Sequence, residues 1–261
     1  MLLSISNIAW QKEHDGEMYA FLSENGFDGL EIAPTRLFPA DPYRHILQAR
    51  QFSSRLRNEY GLRISSMQSI WYGRTENIFG TQSERETLIE YTKHAIEFAA
   101  AMECGNLVFG CPKNRNIPDG LSDFESIALD FFSKLSEYAK ANETVIALEP
   151  NPPVYGTNFI NTTKQALSLC KTLAAEGLRV NADTGALISG GEPLSLIADN
   201  ISLINHIHIS EPGLAPIGHR EIHSSILSLT FDKYVSIEMG DCGDISKVKQ
   251  VTQYIKKEAK R

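Results

Sequence analysis

Several familiar signatures are missing from this chain, and each absence removes a class of protein. No apolar run approaches the roughly 18 residues of a membrane helix, so no membrane span is expected. No GxGxxG follows a strand candidate and no GxxxxGK[ST] occurs, which removes the usual dinucleotide and phosphate-loop cradles. Cysteine is sparse: Cys104, Cys111, Cys170 and Cys242 are scattered without a CxxC pair, as expected of reduced thiols rather than a disulfide framework. Positive charge is also short. Lys and Arg number 25 against 32 Asp and Glu, and the net charge of −7 argues against a nucleic-acid groove and an anionic membrane surface. The opening MLLSISNIAW lacks a basic leader and reaches Gln11, Lys12 and Glu13 too soon for a signal peptide, so a cytoplasmic protein is expected.

What remains is an ordinary globular composition, 42% hydrophobic and 22% charged over 261 residues. That is close to the roughly 250 residues of an α/β barrel. Short apolar runs rich in Val, Ile and Leu fall at 2–10, 27–33, 62–70, 106–111, 144–150, 178–183, 203–210 and 233–239, as parallel strands buried on both faces should. Amphipathic stretches lie between them. Residues 86–102 repeat Leu88, Tyr91, Ile96 and Ala99 near helical period, and 123–141 opens on Asp123 as an N-cap. Residues 162–177 are capped by Thr162 or Thr163 and end on Gly177 at C′. Eight strands in strict alternation with helices predict a single (β/α)8 barrel domain over residues 1–261.

Four residues of metal-binding type fall at the ends of four successive predicted strands: Glu149, Asp183, His208 and Glu238. The steps between them, 34, 25 and 30 positions, are about one strand–helix unit each. Side chains at the carboxyl ends of consecutive barrel strands converge. Singly, each has a plainer reading: Glu149 as an exposed strand end, Asp183 in NADTG as a helix cap, His208 as a core histidine. Glu238 is the exception, since an unpaired carboxylate in an apolar strand is costly. Four such accidents at one level of neighbouring strands are much harder to accept than a shared site for a hard or borderline divalent cation, Mn, Mg, Co or Zn.

The segments ALEP at Glu149, ADTG at Asp183, HIHISE at His208 and SIEM at Glu238 resemble those of the xylose-isomerase-like TIM barrels, a group of sugar and sugar-phosphate isomerases and epimerases. The likeness runs from SISNIAW through GFDGLEIAPT to the eighth strand. The motifs are most similar to those of ketohexose 3-epimerases, which share the H-x-H-x-x-E pattern present here as His206, His208 and Glu211. The resemblance implies one divalent ion, usually Mn, Mg or Co, at the four matching positions. It also implies Glu149 and Glu238 as proton acceptor and donor, a small carbohydrate substrate, and a homodimer or homotetramer. Two positions depart from that pattern: Ala186 stands where the epimerases have a histidine, and Leu214 where they have an arginine.

Proton transfer at a carbon beside a carbonyl needs an enediolate and a carboxylate on each face, which is the chemistry of an epimerase or isomerase. A metal-dependent dehydratase of a keto-sugar or keto-inositol would begin identically and then expel a hydroxyl, with His206 or His219 as acid. A non-catalytic sugar-binding barrel is the third reading. Apurinic endonucleases share the resembling fold but need more His and Asp/Glu ligands and a basic face. Further candidates for the substrate are Glu31 and Gln68 at strand ends, Lys113 and Arg115 after strand four, and His219 and Arg220 after strand seven. Lys113 and Arg115 either meet a phosphate or carboxylate or belong to a solvated loop. Trp10, Trp71 and Tyr72 either form an aromatic lid or pack the rim.

Overall fold

A computed structural model describes residues 1–260 of the chain. Its eight strands are β1 (Leu2–Ser6), β2 (Gly29–Ile32), β3 (Arg63–Met67), β4 (Leu107–Phe109), β5 (Ile146–Leu148), β6 (Leu178–Asp183), β7 (Ile204–Ser210) and β8 (Tyr234–Glu238). Each pairs in parallel with the next, and β8 closes on β1 through Leu2↔Tyr234 to Ile5↔Ile237. This is the (β/α)8 barrel that the alternation predicts, with strands shorter than the apolar runs.

Alternation within the strands sorts the side chains. Ile5, Leu30, Ile207, Ile209, Val235 and Ile237 are buried on the helix side. Ser4, Ser6, Glu31, His206, His208 and Ser236 are equally buried and bond polar partners inside the barrel: Ser4 with Ser65, Ser6 with Gln68, His206 with Ser236 and His208 with Glu31. Such barrels are usually filled by branched apolar residues. Here the axis is polar, and the registers shift at Leu30/Glu31 and Val180/Asn181, where inward polar residues are placed.

The helices follow ordinary capping logic with some departures from expectation. The helix Gln82–Ala101 begins four residues earlier than the periodicity suggests, because Thr81 and Glu84 form a reciprocal capping box. Asp123 precedes the helix Phe124–Ala141 but its side chain makes no cap hydrogen bond. The helix Thr163–Leu173 is capped by Thr162 and stops at Ala174, whose φ is 50°, so Gly177 is not its C′ residue. Gly177 answers a different need: a Cβ there would lie 1.9 Å from the Ser136 carbonyl oxygen. Among the described residues, no helix is long and apolar enough to cross a membrane.

Candidate metal centre and active site

The four strand-end residues meet at the carboxyl end of the barrel. Asp183 and Glu238 are the last residues of their strands, Glu149 follows β5 directly, and His208 is paired in register with Asp183. His208 is at the centre: its Nδ1 lies 2.9 Å from Glu149 Oε1, 3.2 Å from Glu238 Oε2 and 4.0 Å from Asp183 Oδ2. One ligand atom from each of the four lies within 4.8 Å of the other three. The approach of Glu149 requires a bare backbone opposite, since a Cβ on Gly110 would meet Glu149 Oε2 at 2.7 Å.

A ring of hydrogen bonds aims these groups. Asn181 Nδ2 donates to Glu149 Oε1 at 2.8 Å, and Asn151 Nδ2 approaches Glu149 Oε2 at 3.4 Å. The Ser210 hydroxyl donates to Asp183 Oδ2, while Asp183 Oδ1 accepts from the Ala186 amide at 2.6 Å. Asp183 is therefore an N-cap of the helix Thr184–Gly190 and a member of the cluster at once. On the far side of the imidazole, His208 Nε2 bonds Glu31 Oε2 at 2.8 Å. Gln68 Nε2 donates to Glu31 Oε1 at 3.1 Å and to Ser6 Oγ at 2.6 Å. A carboxylate behind a histidine in this way fixes its tautomer and aims the other nitrogen.

Electrostatics show a cluster short of positive charge. Burial, with the nearby Glu149 and Asp183 charges, raises the Glu238 carboxyl to about 7 despite the pull of His208. Burial and the Glu149 charge raise Asp183 to about 6. Burial disfavours a charged His208, yet Glu238 and Glu31 hold the ring protonated well above its usual range. Burial would also raise Glu31, but the two histidines and Ser66 bring it below the ordinary carboxylate value. Three mutually repelling carboxylates converging on one imidazole, largely out of solvent, fit a divalent cation in donor type and charge.

The remaining sequence candidates separate by position. Above the cluster lies a cavity of about 200 Å³. Gln68 and Glu211 line it, with Glu211 taking Arg220 Nε on both oxygens at 2.7 Å. Glu31 and His206 lie beneath, fully buried, with His206 Nε2 2.8 Å from Ser236 Oγ and its ring pushed down to about 3 by burial. Lys113 is exposed and outside the lining. Arg115 is fully buried, its Nη2 donating to the Glu149 carbonyl at 3.1 Å and to Asn151 Oδ1 at 2.8 Å. His219 packs on the Tyr254 ring, centroids 4.0 Å apart.

Of the two readings for the aromatics, lid or packing, both tryptophans take packing. The Trp10 and Trp71 indoles are core residues that donate to Asp15 and Thr92, and Tyr72 is exposed away from the lining. The ring at the mouth is Tyr155, whose hydroxyl accepts from the Gly213 amide at 2.9 Å. Sequence reasoning passed over Tyr155 because loop conformation alone aims it. Asn181 was within reach, since it stands two positions before Asp183 on the same strand and so on the same face.

Residues 19–258 match the family described as xylose isomerase-like TIM barrel. No curated protein matches the chain. Among solved structures, the Escherichia coli 3-keto-D-glucoside 4-epimerase superposes with a TM-score of 0.77 at 18% identity, over 98% of this chain and 99% of its own. A D-psicose 3-epimerase gives 0.76 at 13% identity, over 98% and 96%. A probable 3-DHS dehydratase from Bacillus anthracis gives 0.71 at 17% identity, over 100% and 98%. At these identities the likeness is one of fold.

Proposed function

The chain belongs to the xylose isomerase-like TIM barrel family, and from that premise we propose that it is a divalent-metal-dependent sugar isomerase or epimerase. The observation that carries this reading is the pair of carboxylates, Glu149 and Glu238, brought to 2.9 and 3.2 Å from the same imidazole nitrogen at the floor of a cavity. Glu149, Asp183, His208 and Glu238 would hold the ion. A divalent cation there supplies Lewis-acid stabilisation of negative charge on carbonyl and hydroxyl oxygens.

The chain's own part is the proton. One glutamate takes the hydrogen from the carbon beside the substrate carbonyl, and the C–H electron pair passes into the enediolate. The other glutamate returns a proton to the opposite face of the same carbon, inverting it, or to the neighbouring carbon, exchanging aldose and ketose. Which glutamate begins as base depends on the configuration of the substrate. Asn181 and Asn151 hold Glu149 in place, and His208 faces both carboxylates.

A dehydratase remains the second reading, and the fold likeness to the Bacillus anthracis protein favours keeping it. Elimination needs an acid at the departing hydroxyl. Its candidates, His206 and His219, both lie outside the cavity lining, which weighs toward epimerisation or isomerisation. A passive binding barrel would have no use for two converging glutamates, which are costly to bury without a counter-ion.

The test is metal content by plasma mass spectrometry for wild type, Glu149→Gln and His208→Ala, followed by NMR of solvent deuterium entering a panel of ketoses. Wild type should carry about one equivalent, lost in both variants, and should exchange the hydrogen beside the carbonyl. A wild type that takes up no metal after reconstitution would overturn the proposal.

A further inference from the structure

The cavity carries a second message, in its walls rather than its floor. Glu149, Asp183, Glu211 and Glu238 contribute to the lining, and no Lys, Arg or His side chain does. Each nearby cation of the kind that binds phosphate or carboxylate is engaged or placed elsewhere. Arg115 is fully buried under the loop and bonds the Glu149 carbonyl and Asn151. Arg220 is occupied by Glu211, His219 by the Tyr254 ring, and Lys113 stands outside in solvent. With one of the two glutamates protonated, a divalent ion brings the floor to neutrality, and no side chain of the lining adds a positive partner for a substrate anion.

Part of the lining is apolar. Val108, Pro112, Pro152, Leu214 and the ring of Tyr155 contribute it. Leu214 is fixed there by its backbone. Its φ is 54°, its N–H donates to the Glu211 carbonyl at 3.0 Å, and its own carbonyl accepts from Gly240 at 2.9 Å. Gly213 beside it is tied to Tyr155, so the two loops present one preset surface. A hydroxyl pressed against that surface loses its water without gaining a partner. The volume, about 200 Å³, is below the roughly 300–1,000 Å³ of most small-molecule clefts, and suits a single monosaccharide.

We infer that the substrate is an uncharged monosaccharide carbonyl compound, neither phosphorylated nor carboxylated, that turns a carbon-rich, deoxygenated end toward Leu214. This rests on the proton-transfer reading above and narrows its substrate.

The experiment uses the metal-loaded wild type and Leu214→Arg. The probes are D- and L-fructose and D- and L-tagatose, each beside its 6-phosphate and its 6-deoxy analogue. Calorimetry gives dissociation constants and NMR gives deuterium exchange. In wild type the 6-phosphate should bind at least about tenfold more weakly than its parent, and the 6-deoxy analogue at least as tightly. Leu214→Arg should reverse that order by adding a cation to the wall. A 6-phosphate that binds wild type as tightly as its parent, or exchanges as fast, overturns the inference while leaving the proton-transfer reading intact. Failure of that reading is separately visible, as a wild type that holds no metal.

Discussion

On the helix side of the barrel strands stand Ile5, Leu30, Ile207 and Ile237; toward the axis, the same strands turn Ser4, Glu31, His208 and Ser236. Both shells are buried, and their chemistry is opposite. The outer one is held by apolar area, at about 1.5–3 kcal/mol for each large side chain removed from water, and its contacts are many and non-directional. The inner one is held by paired polar groups. His208 touches Glu31 on one side and Glu149 and Glu238 on the other, so removing one member orphans several others. Stability is therefore shared out in the outer shell, whereas function in the inner shell depends on single atoms.

The harshest way to break this contrast is His208→Ala. It deletes the one side chain common to all three carboxylates at the floor and to Glu31 below. Metal content should fall to background, and stability should drop by about 3–5 kcal/mol in chemical denaturation, because buried carboxylates lose their partner. Wild-type metal affinity in this variant would mean that the cluster is not the site.

Phe132→Ala makes the converse cut. Phe132 is fully buried and meets Phe109 and Phe131 edge-on at 5.0 and 5.4 Å. Its loss should cost about 3–5 kcal/mol of folding stability. The folded fraction should still bind metal with wild-type affinity. Equal damage to stability and metal binding would show that the shells are not separable.

The two shells also differ in how far they can be read from sequence. The outer shell announces itself, since runs such as LRVNAD and YVSIEM mark strands whatever their partners. The inner one is partly visible where alternation is clean: HIHIS puts His206 and His208 on one face, and the strand-end spacing brings Glu149, Asp183 and Glu238 to the same level. The contact of Glu31 with His208 spans 177 positions and follows a register shift beside Glu31, which no local pattern encodes. Loop residues are harder still. Arg115 and Lys113 are two positions apart, yet one is fully buried and the other exposed, because loop packing and not periodicity aims them.

A pH series sharpens the contrast without mutation. Asp183 and Glu238 keep their protons to about 6 and about 7 in the fold, against 3.8 and 4.5 as ordinary values. At these two groups the folded form thus binds more protons than the unfolded chain between about pH 4 and 7, and their contribution to stability must fall as pH rises through that window. His208, raised well above 6.5, acts in the same direction at higher pH. Glu31 is lowered and opposes them below its ordinary 4.5. His206, pushed by burial from 6.5 down to about 3, opposes them between those values, so the net fall is carried by Glu238 and His208 toward the upper end of the range. Metal-free protein should therefore melt higher near pH 5 than near pH 8, by about 2 kcal/mol in stability. Saturating metal should flatten or invert the trend, since the ion binds the deprotonated carboxylates. Since the outer shell carries no such groups, Phe132→Ala should shift the whole curve downward without changing its shape.

The smallest and most discriminating change is Glu31→Gln. It keeps the size of the side chain and an acceptor for His208 Nε2, and removes only the charge behind the imidazole. Glu31 lies outside the cavity lining and is fully buried, so an effect on the ion must travel through the 2.8 Å contact with His208. Replacing such a supporting carboxylate weakens metal binding by about 10–100-fold. The variant should still bind about one equivalent at saturation, with the loss read by competition against a chelator. Nitrogen-15 NMR of the zinc-loaded protein should keep the His208 proton on Nε2, and Glu31→Leu should lose that preference as well. Unchanged metal affinity in Glu31→Gln would reduce the polar axis to packing by other means. The distinction between the two shells would then end at the four residues of the floor.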